Sequence, residues 1–392
     1  MRRVDVEERP ILGGETFLKL RLNSPPSGWF PALRALQWHI RKNNLPYTDL
    51  FFSPHLEEIY IITPFSWDAW GVPLGILPAI ASAFSTLPTS NLKSLVTHGR
   101  IGIPCAYLMD SLSSVVLRCG PSFTRLHSPV PLSDAAVNHL MQLPHLSTWV
   151  IRKPPPSYSS LFLPLTFPPL ETLMILKEGV VRGWFSLFNR LEEGVSTTQE
   201  VAPLSKVKQS LKVLTIKDLP GLTADTSLAS PIQRFRNLTH LDVDIDCHEG
   251  QCTFKLNNDD VTELAVALPR LESFCFGRTC RSNTCATTVA CLLPISVHCL
   301  GLQVMEIHFN TTNIVEDFKG IPEDPRLQHL RSLPRCQLRS LGGCYKMPLI
   351  LDEPGVETVA KGIIDIFPSL RRPGGGGSWV ELADKIEELR EM

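Results

Sequence analysis

The sequence lacks net charge: 38 basic and 39 acidic side chains leave a formal −1 over 392 residues. Bulk attraction to nucleic acid or to an anionic membrane is therefore excluded as a driving force. Aromatic residues are few, at 8 %, and no basic run is interleaved with them, so no nucleic-acid partner is expected. Long apolar runs are also missing. The most apolar stretch, Gly71 to Phe84, is broken by Pro73 and Pro78, whereas a membrane helix needs about 20 uninterrupted apolar residues. Met1 to Pro10 is dense in charge and does not read as a signal peptide. The expected setting is cytoplasmic or nuclear, without a membrane partner, and the 11 cysteines are expected to be mostly reduced. There is no Gly-x-x-x-x-Gly-Lys-Ser/Thr loop, no Gly-x-Ser-x-Gly elbow and no His-Glu-x-x-His pair, and Gly13-Gly14 reads as a turn. No cofactor and no catalytic residue is expected, and the chain does not read as an enzyme.

Apolar residues nevertheless make up 43 % of the chain, and its length exceeds the roughly 250–300 residues that one compact core supports. A repeat array resolves this, because each repeat packs only on its neighbours. A phrase does recur: apolar, often Pro, any, Leu, two residues, apolar, any, apolar. It runs through Phe30-Pro31-Ala32-Leu33 to Leu36 and Trp38, and again through Leu56, Ile59 and Ile61. Leu143-Pro144-His145-Leu146 leads to Trp149 and Ile151, and Phe167-Pro168-Pro169-Leu170 to Leu173 and Ile175. Leu211-Leu214-Ile216, Leu238-Leu241-Val243, Leu271-Phe274-Phe276 and Leu302-Met305-Ile307 follow, with weaker copies at Leu92–Leu95 and at Leu112, Val115 and Leu117. The last two apolar positions are two apart and so share one face of a strand. Stacked copies give an α/β fold: an irregular leucine-rich-repeat solenoid, with parallel strands on a concave face and helices or loops on the convex one. Leading-Leu spacings of 24 (Leu146 to Leu170), 27 (Leu211 to Leu238) and 33 (Leu238 to Leu271) make it uneven.

Return helices are expected where apolar residues fall at helical spacing. Ser133 can cap a helix carrying Ala136, Val137, Leu140 and Met141; Asp260 and Glu263 resemble a capping box ahead of Leu264, Ala265 and Leu268. Glu353-Pro354 can start a helix striped with Val356, Val359, Ala360, Ile363, Ile364 and Phe367. The solenoid is expected over 1–370, with a Gly-rich flexible loop over 371–378. A C-terminal amphipathic helix then spans 379–392, with Trp379, Leu382, Ile386 and Leu389 on one stripe and Glu381 paired with Lys385. That helix reads as a cap on the last repeat, or as a detachable docking helix.

Two clusters could carry chemistry. Cys247 and Cys252, like Cys280 and Cys285, are five apart, near His248, Cys275, Cys291 and Cys299. This is looser than close zinc-ligand pairs, so structural thiols are expected and no metal site is assigned. Cys275, between Phe274 and Phe276, should face out of its strand. His240, Asp242 and Asp244 alternate with Leu241 and Val243, which puts the acids on the exposed concave face. Aligning repeats by their leading Leu sets Thr215 beside Asp242, Lys217 beside Asp244, Cys275 beside Asp242 and Glu306 beside Cys275. The candidate partner-binding face is Thr215, Lys217, His240, Asp242, Asp244, Ser273, Cys275, Glu306 and His308. A solvated face with ordinary ion pairs remains the bland alternative.

From Phe235 onward the chain resembles the F-box-like leucine-rich-repeat proteins of mushroom-forming fungi. The residues that carry this are Asn237-Leu238-Thr239-His240-Leu241, Leu268-Pro269-Arg270-Leu271-Glu272-Ser273-Phe274 and Cys299-Leu300-Gly301-Leu302-Gln303-Val304-Met305, then Val359-Ala360, Ile366-Phe367-Pro368-Ser369-Leu370 and Trp379. The resemblance implies a substrate-holding repeat region of a cullin-type ubiquitin ligase receptor. The strand-like run Phe17 to Leu22 starts so early that the F-box itself is expected to be absent. A ligase adaptor would then be a partner only through a segment upstream of Met1. The alternatives are a truncated gene product, a stand-alone repeat protein, or a hydrolytic or metal-binding protein using the Cys and acid cluster.

Overall fold

The computed structural model describes residues 3–5, 14–25, 29–39, 45–66, 76–100, 106–128, 130–151, 169–176, 209–220, 232–246, 256–277, 285–321, 328, 332–342, 351–370, 372–373 and 378–391. The chain divides into two compact units, residues 1–176 with 194–207 and residues 177–193 with 208–392.

In unit 1 seven strands among the described residues lie parallel in chain order: β1 (Arg3–Asp5), β2 (Ala35–His39), β3 (Glu58–Ser66), β4 (Ser94–Arg100), β5 (Arg125–Ser128), β6 (Thr148–Ile151) and β7 (Thr172–Leu176). Unit 2 repeats the plan with β8 (Val213–Pro220), β9 (His240–Asp246), β10 (Ser273–Phe276), β11 (Val304–Ile307), β12 (Ser340–Gly342) and β13 (Arg372–Pro373). This is the α/β leucine-rich-repeat solenoid plan: one strand per repeat, each paired with the next.

The recurring phrase has a local cause. Its apolar first residue accepts a backbone hydrogen bond from the leading Leu three residues on: Leu33 to Phe30 at 3.0 Å, Leu271 to Leu268 at 3.2 Å, Leu370 to Phe367 at 3.1 Å. That closes a four-residue turn, and its second place is where Pro, with φ already fixed, fits best. Pro31, Pro144, Pro269 and Pro368 all stand there. A second contact then aims the chain into its strand. Carbonyls just before strands accept two successive N–H groups from the next repeat, as Arg34 does from Glu57 and Glu58 (2.7 and 3.0 Å) and Thr239 from Glu272 and Ser273 (2.8 and 3.0 Å). Register therefore passes from repeat to repeat through the backbone. The apolar rows follow: Leu36, Ile59, Leu95, Leu126 and Trp149 in unit 1, and Leu214, Leu241, Phe274, Met305 and Leu341 in unit 2, all 3 % exposed or less.

The returns are α1 (Gly14–Leu22), α2 (Ile76–Thr86), α3 (Ala106–Arg118) and α4 (Asp134–Gln142) in unit 1, and α5 (Asn258–Ala267), α6 (Leu292–His298), α7 (Ile314–Gly320), α8 (Glu353–Ile366) and α9 (Ser378–Glu391) in unit 2. Ser133 caps α4 as expected, accepting from the Ala136 N–H at 3.3 Å.

Several expectations are corrected. Phe17 to Leu22 is helix, not strand: its Leu, Lys and Arg are strong helix formers, and α1 turns Phe17 onto Trp38, Tyr47 and Phe51 at ring separations of 6.4, 5.6 and 6.3 Å. The charged stretch near the N-terminus contributes a strand, β1. Leu112, Val115 and Leu117 lie on α3, since a three-residue apolar step suits a helix as well. The capping box of α5 sits one turn earlier, between Asn257 and Asp260. Lys385 pairs with Glu388 at 2.8 Å rather than with Glu381. Residues 371 and 374–377 of the expected loop lie outside the described residues, but Arg372–Pro373 pairs with β12 and Pro373 is buried. α9 buries Trp379, Leu382, Ala383 and Ile386.

Candidate functional site

The nine candidate residues come from four consecutive strands of unit 2 and their ends. Because Leu214, Leu241, Phe274 and Met305 turn into the core, their neighbours turn to the opposite face. The register sets Thr215 against Asp242, Asp242 against Cys275 and Cys275 against Glu306, as the leading-Leu alignment predicts. One row earlier His240 stands against Ser273.

The ion pair differs from expectation. Lys217 Nζ lies 3.6 Å from Asp242 Oδ2, whereas the alignment puts Lys217 beside Asp244. The cause is a register shift between Ile216 and Leu219, which ends regular pairing just where Lys217 stands. With both partners part-exposed, the pair contributes no more than about 1 kcal/mol.

The face is also less open than expected. Thr215, Asp244, Cys275 and His308 are buried, while Lys217, Asp242, Ser273 and Glu306 are half-buried and His240 is exposed. Short side chains on a strand are covered by longer ones alongside. Cys275, expected to face solvent, is 8 % exposed, with its Sγ 3.9 Å from Ser273 Oγ. His240 Nδ1 lies 2.9 Å from Thr239 Oγ1, which itself donates to the Lys212 carbonyl. His308 sits just past β11, where its backbone N–H donates to the Phe276 carbonyl at 3.0 Å and its carbonyl accepts from Cys285 Sγ at 3.5 Å. The surface left open is narrow and polar: one imidazole, two carboxylates and one ammonium group over a buried Thr and Cys.

Cys291 and Cys299 are core thiols, as expected, at 0 % and 1 % exposure. Burial pushes Cys299 up to about 12, with a lesser contribution from Cys336, and pushes Cys291 up as well. Such thiols stay protonated and are poor nucleophiles and poor ligands. Cys247, Cys252, Cys280 and His248 lie outside the described residues. Among the described residues no group of three or more His, Cys, Asp or Glu could hold a metal ion, and no helix is long and apolar enough to cross a membrane.

Sequence reasoning passed over a second polar face, in unit 1. There His98 and His127 meet edge to face, ring centres 4.5 Å apart, on β4 and β5. The available signal was Gly120-Pro121-Ser122-Phe123, a repeat turn with Pro in its second place but Phe where the leading Leu stands elsewhere, closed by the Phe123 N–H on the Gly120 carbonyl at 3.1 Å.

No family model and no curated protein matches the chain. It is similar to a chain in the crystal structure of the Rad7 and Elc1 complex in yeast, with 16 % identity over 92 % of this chain and 78 % of that one, at a TM-score of 0.46. So distant a likeness carries no functional argument.

Proposed function

We propose that the chain is a protein-binding scaffold, not an enzyme, and that it holds a basic or polar segment of a partner protein on the sheet face of unit 2. The observation that carries this reading is the unbroken register Thr215–Asp242–Cys275–Glu306, which sets Asp242 and Glu306 two strands apart on one rigid row. Rigid strands hold side chains in place without an ordering cost at binding. A partner cation can exchange with Lys217 at Asp242 and reach Glu306 at the same time. The likeness of residues 235–379 to F-box-like repeat proteins supports the further reading that the segment belongs to a ubiquitin-ligase substrate. A cytoplasmic or nuclear setting goes with it. Nucleophilic catalysis needs an activating base beside the nucleophile, and Cys275 is buried between a serine and two carboxylates in register.

The test is affinity purification from source cells with the wild-type chain, the Asp242→Lys/Glu306→Lys double variant and a Glu263→Lys control on α5. Partners recovered by the wild type and the control but lost from the double variant are expected. An identical set from all three would remove the face from consideration.

A further inference from the structure

The sheet face of unit 1 bears a different chemistry from that of unit 2. Gln37, Tyr60, Val96, His127 and Val150 stand in register across β2 to β6, on the face opposite the Leu36–Trp149 core row. Two residues on, His39, Ile62 and His98 form a shorter row. Gln37 Nε2 lies 3.2 Å from His39 Nε2, and His98 packs its ring against His127. In the row before, Glu58, Ser94, Arg125 and Thr148 are in register. Val96 and Val150 are buried and Tyr60 and Ile62 half-buried, while His98 and Arg125 are exposed. The result is a partly apolar floor rimmed by three imidazoles and a guanidinium. Glu58 is the single carboxylate among the described residues of these five strands.

We propose that this face is a second docking surface, taking an acidic segment of a partner protein whose carboxylates meet His39, His98, His127 and Arg125 while an apolar side chain rests on Tyr60 and Ile62. The argument is charge complementarity over a floor that can bury an apolar group. It shares no residue with the unit 2 face and stands or falls separately from it. Crowding by the sheet, with the Arg125 charge a lesser cause, holds the His98 imidazole below its ordinary range in the free protein. Carboxylates brought against it favour the protonated ring. Binding therefore takes up protons, and affinity rises as pH falls through the imidazole range. The charged and titratable groups that the neighbouring strands bring to this face are Glu58 and Tyr60 from β3, Arg125 and His127 from β5 and His39 from β2. β6 brings none.

A rhodamine-labelled peptide of glutamates around one central phenylalanine tests this by fluorescence anisotropy on the full chain. Tightening of about tenfold between roughly pH 7.5 and 5.5 is expected. His98→Gln/His127→Gln should abolish that pH dependence, and Asp242→Asn/Glu306→Gln in unit 2 should leave it intact. If the histidine variant does not fold, imidazole resonances of the wild-type chain are followed instead, and those of His98 and His127 should titrate at higher pH with peptide bound. Binding indifferent to pH, equal competition by an oligouridylate, self-association of the chain in place of peptide binding, or unmoved histidine titrations would each overturn the proposal.

Discussion

Gly362 of α8 lies against Phe318 of α7, and a Cβ at that position would come within 2.9 Å of the ring's Cγ and Cε1. The ring is 5 % exposed, so moving it aside disturbs its packing. Gly362→Ala would gain helix propensity of up to about 1 kcal/mol, but overpacking costs roughly 1–3 kcal/mol. The variant should be less stable by about 1–2 kcal/mol in urea unfolding, and a more stable variant would show that α7 has room to move. At this scale the acid row was legible, because period two in His240-Leu241-Asp242-Val243 leaves no other placement for Asp242. The choice of partner for Lys217 was not legible. It depends on a shift after Ile216 that no residue type announces. Burial of Thr215 and Cys275 was hidden too, since cover comes from neighbouring strands rather than from the residue itself.

Elements were readable where a turn or cap repeats a signature. The Pro-containing phrases located β2, β6 and β10 because Pro at the second turn position and Leu at the fourth report one hydrogen-bonded geometry. Ahead of β5 the turn keeps its Pro121 but has Gly120 and Phe123 where other repeats have an apolar residue and Leu, so the phrase is hidden, while Leu112, Val115 and Leu117 of α3 imitate it. α1 is deceptive in another way: Leu18, Leu20 and Leu22 alternate with Lys19 and Arg21, yet Leu18 and Leu22 are exposed and Phe17 is the buried side chain among the described residues of the helix. In α5 the Asn257 side chain accepts from the Asp260 N–H at 2.9 Å and the Asp260 carboxylate accepts from the Asn257 N–H at 3.0 Å. Asn257→Ala should cost about 1 kcal/mol, read as a lowered urea midpoint with unchanged slope. No change would mean that α5 is held by Val261, Leu264 and Ala265 alone.

For the molecule as a whole, near-neutrality matters more than any single pair. With a net charge of −1, little repulsion keeps copies apart near neutral pH. The 11 histidines supply added charge on acidification. Polyethylene-glycol precipitation should therefore place the solubility minimum near neutrality and show higher solubility at about pH 5.5; a minimum at the acid end would contradict this. The division into two units was not legible, because every repeat looks alike in sequence whichever unit it joins.

Within each unit, strand order matches chain order, so a newly made repeat finds its sheet partner in the repeat synthesised just before it. As the polypeptide leaves the ribosome, each turn-and-strand can dock without waiting for anything downstream, and the growing sheet exposes one fresh edge at a time. Such a chain assembles in the direction of translation, and an insertion in any return segment lengthens the protein without disturbing the order in which its strands are laid down.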